Sequence, residues 1–122
     1  MTVAFPVFVL EKDSRTILRF DSLDEMQGYL ERIDVENEEY EAWDANGWPI
    51  RMTVQKPLWL RLELSAQGPK PGGLLSDLRH FAQFVGVKLD VEDETKSPTA
   101  IYEKIVTNKP QKGILRRFVE RF

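Results

Sequence analysis

The run LWLRLEL over residues 58–64 alternates without a break, Leu58, Leu60, Leu62 and Leu64 against Trp59, Arg61 and Glu63. A period of two predicts a strand with one apolar and one polar face. Near the start of the chain, VAFPVFVLE over 3–11 is rich in valine and phenylalanine, and TILRF over 16–20 follows the polar KDSR, so the two segments read as a β-hairpin. Residues 3–11 are apolar on both sides, as in a central strand, whereas Pro6 has no amide to donate and suits an edge or a bulge. The pattern leaves that conflict open. The segment EEYEAWDANGWPIRMTV over 38–54 predicts two more strands. They are joined at Asp44-Ala45-Asn46-Gly47 by a type I turn closed with a left-handed glycine.

Elsewhere the apolar period lengthens to that of a helix. Ser22 and Glu25 form a capping box, after which Leu23, Met26, Leu30 and Ile33 share one side, with Gly28 a weak point. The stretch GPKPGG over 68–73 reads as a linker that holds neither helix nor strand. Beyond it Leu74, Leu75, Leu78, Phe81, Ala82 and Val85 form an apolar arc ended by Gly86. Ser97 and Pro98 predict the start of a helix through AIYEKIV. A last amphipathic helix, ILRRFVERF over 114–122, sets Ile114, Leu115, Phe118, Val119 and Phe122 opposite Arg116, Arg117 and Glu120. The order β-β-α-β-β-β-α-α-α predicts a single α+β domain over 1–122: a mostly antiparallel sheet of about five strands with helices packed against it. Its parts are a sheet-rich region over 1–66 with one helix, a Pro/Gly linker over 67–73, and a helical region over 74–122.

Composition narrows the function classes more than it selects one. A chain of 122 residues, 42% hydrophobic and 30% charged, can bury a core without staples and is not a disordered one. With no cysteine, disulfides and thiolate metal ligands are excluded. The N-terminal apolar run lacks a basic start, is broken by Pro6 and ends at Glu11, so it reads as neither signal peptide nor membrane span. The expectation is a cytoplasmic protein.

Catalytic signatures are missing. His80 is the only histidine, so one chain cannot build a His-rich metal site or a two-histidine mechanism. It falls on the polar side of its helix. No GxSxG, phosphate-loop, GxGxxG or HExxH pattern occurs. Asp44-Ala45-Asn46-Gly47 puts its glycine at position four, where a calcium loop needs it at six. Asp90, Glu92, Asp93 and Glu94 read as a solvated loop. Neither catalytic residues, a metal nor a cofactor is assigned.

Charge is placed unevenly. Ten acids between residues 21 and 44 (Asp21, Asp24, Glu25, Glu31, Asp34, Glu36, Glu38, Glu39, Glu41, Asp44) face the single Arg32, a local balance of minus nine. Between 104 and 122, Lys104, Lys109, Lys112, Arg116, Arg117 and Arg121 outnumber Glu120, a balance of plus five. Like charges held together repel, so such a segment is either a solvated face or one that steers a partner. One functional reading is a non-catalytic protein-binding module that meets a basic protein through Glu38, Glu39, Glu41, Trp43 and Asp44, as inhibitors, immunity-type proteins or accessory subunits do. The other is a small-molecule or enzymatic site in a crevice between sheet and C-terminal helices, lined by Tyr40, Trp43, Trp59 and Tyr102. By alternation Trp43 and Trp59 lie opposite the leucine-rich face, where the C-terminal helices are expected to cover them. The acidic and basic ends also allow a homodimer. Neither nucleic acid nor membrane is an expected partner, since the net charge is −3.

Overall fold

A computed structural model describes residues 2–55 and 59–109. Its centre is a five-stranded antiparallel sheet of β1 (Val7–Glu11), β2 (Thr16–Phe20), β3 (Tyr40–Trp43), β4 (Pro49–Val54) and β5 (Leu60–Leu64), in the order β2-β1-β3-β4-β5. The helices are α1 (Leu23–Tyr29), α2 (Arg32–Glu36), α3 (Pro71–Val85) and α4 (Pro98–Asn108), with a 3-10 turn at Asp93–Thr95. The fold is α+β, as the order of patterns predicts.

Strand β1 explains its own sequence. It lies between β2 and β3, and helices cover the sheet on both sides, so both of its faces are buried and both are apolar. Phe8 and Leu10 point toward α3 and α4, while Val7 and Val9 point toward α1 and α2. Pro6 stands just before Val7, outside the ladder, so its missing amide costs the sheet no hydrogen bond. The conflict between proline and central strand is thereby resolved.

Each face of the sheet has its own core. On one, Phe8, Ile17 and Trp43 meet Leu74, Leu78, Phe81, Ile101 and Ile105 of α3 and α4. On the other, Val7, Val9, Phe20, Ala42, Ile50 and Leu60 meet Met26, Leu30 and Val35. Arg19 of β2 reaches α4 through an ion pair with Glu103 at 2.7 Å. Ser97 caps α4 as expected, its hydroxyl accepting from the Ala100 amide at 3.2 Å.

Three local expectations need correction. The helix opened by Ser22 does not run on to Ile33: Leu30 and Glu31 are extended, and α2 starts afresh at Arg32. The break turns Val35 inward and leaves Ile33 62% exposed. The second concerns the linker, for Pro71-Gly72-Gly73 forms the first turn of α3. Proline suits that position, where its missing amide has no helical partner in any case. This start is also docked. The Lys70 amide donates to the Gly47 carbonyl at 2.8 Å, and Gly47, at φ +79°, lies so close that a Cβ there would fall 2.9 Å from Pro71 Cα. Third, the two tryptophans part company. Trp43 is buried beneath α3, but Trp59 packs with the opposite core, its ring centroid 5.8 Å from the Arg32 guanidinium. On the α3 side, β4 and β5 carry Arg51, Thr53, Arg61 and Glu63, so an indole at residue 59 finds no apolar partner there. The helix expected over 114–122 and the position of Leu58 lie outside the described residues. Among the described residues no helix is long and apolar enough to cross a membrane.

Candidate functional site

The acidic stretch divides into residues that build the fold and residues that face outward. Asp44 belongs to the fold: it is 1% exposed. One carboxylate oxygen accepts from the amides of Asn46 at 2.8 Å and Trp48 at 3.0 Å, and the other accepts from the Ala4 amide at 3.2 Å. An Asp side chain that takes up the amides of its own turn is an Asx-type device, here extended to pin the N-terminal segment. Such a carboxylate is withdrawn from any partner. Trp43 is likewise interior, its indole N–H donating to Asp77 at 2.9 Å. Both are partner-facing candidates of the sequence reading, which also expects the C-terminal helices to cover Trp43; α3 does cover it, and burial takes both residues off the surface.

Glu41 lies at the rim of the same contact. Its carboxyl is pushed up to about 7, first by desolvation and then by the hydrogen bond and negative charge of Asp77, with Lys12 opposing. A carboxyl that is desolvated and faces another negative charge ionises less readily, so Glu41 holds its proton further toward neutral pH than a free glutamate. Beside it an open groove of about 590 Å³ is lined by Leu10, Lys12, Arg15, Asp77, His80 and Phe84 among others. His80 is exposed, as its place on the polar side of α3 predicts.

The aromatic crevice is not assembled. Trp43 and Tyr102 lie on one face of the sheet, Tyr40 and Trp59 on the other. The Tyr102 ring packs 5.7 Å from Phe8 and 6.1 Å from Phe81, and burial pushes its phenol up. The Tyr40 hydroxyl donates to Asp34 at 3.3 Å, and burial raises its pKa to about 12. All four pack against one core or the other, and the sheet lies between the two pairs; alternation accounts for Tyr40 and Trp43, three apart on β3, while Trp59, just before β5, departs from it.

The loop acids are largely used internally. Asp93 is buried: it ion-pairs with Lys104, accepts from the Asp90 amide at 3.0 Å, and lies 3.7 Å from Lys96. Glu94 pairs with Arg79. Among the described residues no three acids or histidines come together to hold a metal ion.

A continuous outward surface remains on α2 and the turn after it. Glu31, Glu36 and Glu38 are exposed, and Glu39 is half-buried. Glu38 adopts φ +57°, and its carbonyl accepts from the Lys12 ammonium at 2.9 Å, which fixes the chain reversal into β3. Within these acids stands Ile33, 62% exposed, with Tyr29 at 41% nearby in sequence. Sequence reasoning missed Ile33 because it placed that residue on the buried side of one long helix. A signal was present: Ile33 and Val35 are two apart and cannot both face inward on a helix.

Compared with protein-family models, curated proteins and solved structures, the chain shows no match.

Proposed function

We propose that this chain is a non-catalytic protein-binding module of the cytoplasm that docks on a basic protein through the acidic surface of α2 and the turn leading to β3. The observation that carries the reading is Ile33, a large aliphatic side chain 62% exposed in a segment whose acids outnumber its bases ten to one. Apolar surface ringed by like charge suits an interface: the charges steer the approach, and the central apolar group excludes water once docked. Glu31, Glu36 and Glu38 supply the charge and the half-buried Glu39 adds to it, whereas Glu41, its pKa raised to about 7, contributes less. Inhibitors, immunity-type proteins and accessory subunits work in this way. The small-molecule reading has less support, because Tyr40, Trp43, Trp59 and Tyr102 are divided between two cores. What favours it is the raised pKa of Glu41, about 7, beside the His80 groove, a carboxyl near 7 being suited to acid/base work.

The test is salt-stepped elution of proteins retained by the immobilised chain. Steered binding weakens as ionic strength rises, so a basic protein should leave at moderate salt. Retention indifferent to salt would count against the acidic surface.

A further inference from the structure

Among the described residues strand β5 ends the sheet, and its hydrogen-bonding parity defines what that edge offers. The Gln55 amide donates to the Trp59 carbonyl at 3.0 Å, and the Ser65 amide to the Pro49 carbonyl at 2.8 Å. In the same register Thr53 pairs with Arg61 and Arg51 with Glu63. The odd-numbered residues of β5 therefore turn their amides and carbonyls toward β4, and Leu60, Leu62 and Leu64 turn theirs outward. Among the described residues β4 is the only strand paired with β5. A groove of about 1000 Å³ follows this edge, lined by residues 60–66 and, on the other side, by Val3, Phe5 and Leu23. An edge with free peptide groups and an apolar flank is a template for another strand.

The charges on β5 select which strand. Arg61 and Glu63 sit symmetrically about Leu62, paired with each other within the chain at 2.8 Å and both open to solvent. In an antiparallel pairing with a second copy, outward residues must meet outward residues. If Leu62 meets Leu62 and Leu60 meets Leu64, each Arg61 faces the other copy's Glu63 in a non-hydrogen-bonded pair, where side chains come closest. Sliding by two residues in one direction sets Arg61 against Arg61, and in the other Glu63 against Glu63. Only the centred register is charge-complementary.

We infer that two copies of this chain pair antiparallel through β5 about a two-fold axis at Leu62, joining their sheets and closing the groove with leucines from both. The pairing uses β5 whereas the acidic face uses α2, so the two readings draw on different elements of the chain. All three outward leucines find backbone partners in this register.

Light scattering and sedimentation over a concentration series test it, on the full chain and four variants. The wild type should form dimers. Arg61→Glu and Glu63→Arg should each weaken association by roughly tenfold, since each creates two like-charge pairs per dimer. The double variant Arg61→Glu/Glu63→Arg should restore it; because the double reversal also restores the pair within the chain, melting temperatures of the single variants close to the wild type are needed to assign the loss to association. Leu62→Pro removes the central outward amide together with a leucine packed against the α1–α2 core, and should give a monomer; far-ultraviolet circular dichroism matching the wild type separates lost pairing from lost fold. A wild type that is monomeric throughout, or single reversals that dimerise as well as the wild type, would overturn the proposal. So would a dimer that the double variant fails to restore, or an extended segment of another protein occupying this edge in place of the second copy.

Discussion

Gly73 lies directly on the indole of Trp43: a Cβ at residue 73 would fall 2.3 Å from Trp43 Cη2 and 3.0 Å from Cζ2. The ring is buried and bonded to Asp77, so it cannot give way cheaply. Gly73→Ala should therefore destabilise the fold by about 1–3 kcal/mol, the usual cost of overpacking. Gly72, with nothing within 4 Å of its Cβ position, is the control. Gly72→Ala should be neutral or stabilise by up to about 1 kcal/mol through helix propensity. Denaturant unfolding of the two variants separates close approach from propensity.

Glu41 should make stability depend on pH. Its folded pKa, about 7, lies above the ordinary value of 4.5. The native state holds a proton that the unfolded chain releases, so the contribution is fully present below pH 4.5 and is lost as pH rises through 7. Glu41→Gln keeps a neutral side chain throughout. The stability difference between wild type and Glu41→Gln should thus shift in favour of the variant across this window, read from melting temperatures at matched salt. A constant difference would contradict the raised pKa of Glu41.

Asp44→Ala removes the acceptor of three backbone amides at a site 1% exposed. Unpartnered buried amides cost roughly 1–3 kcal/mol each, so a loss of about 3 kcal/mol or more is expected. Hydrogen exchange should show Ala4, Asn46 and Trp48 losing protection first. Because this carboxylate faces inward, partner binding by the folded variant should be unchanged.

Asp93 acts in the opposite pH range. Its hydrogen bond with Lys104, helped by the Asp90 amide, lowers its pKa from 3.8 to about 2. The stabilisation is present above pH 3.8 and fades as pH falls through 2. Asp93→Asn should be less stable than wild type at neutral pH, and the gap should close in acid titrations followed by circular dichroism.

What the sequence made legible was local. Alternation from Leu60 to Leu64, the double-sided apolarity of β1 and the Ser97-Pro98 helix start depend on neighbours in the chain, and all three stand in the structure, whereas Trp59 leaves the face that alternation assigns it. What stayed hidden depended on distant contacts. Pro71-Gly72-Gly73 looks like a linker until Trp43 and Gly47 are placed against it. The fate of Asp44 turns on Ala4, forty residues away. Ile33 became exposed because the chain breaks at Leu30 and Glu31 to turn Val35 inward, a tertiary choice between two equally apolar residues. Charge density pointed to the right stretch of chain for an outward surface, but not to which of its members the fold would keep for itself.

The most direct test of the binding reading is a side-by-side capture with the wild type, the triple variant Glu31→Lys/Glu36→Lys/Glu38→Lys, and Ile33→Asp, from one lysate of the source organism. All four positions are exposed, so the variants should melt close to the wild type. The account predicts a basic protein that is retained by the wild type, released at moderate salt, and lost from both variants. The same protein held equally by all three, or none held by the wild type, would contradict it.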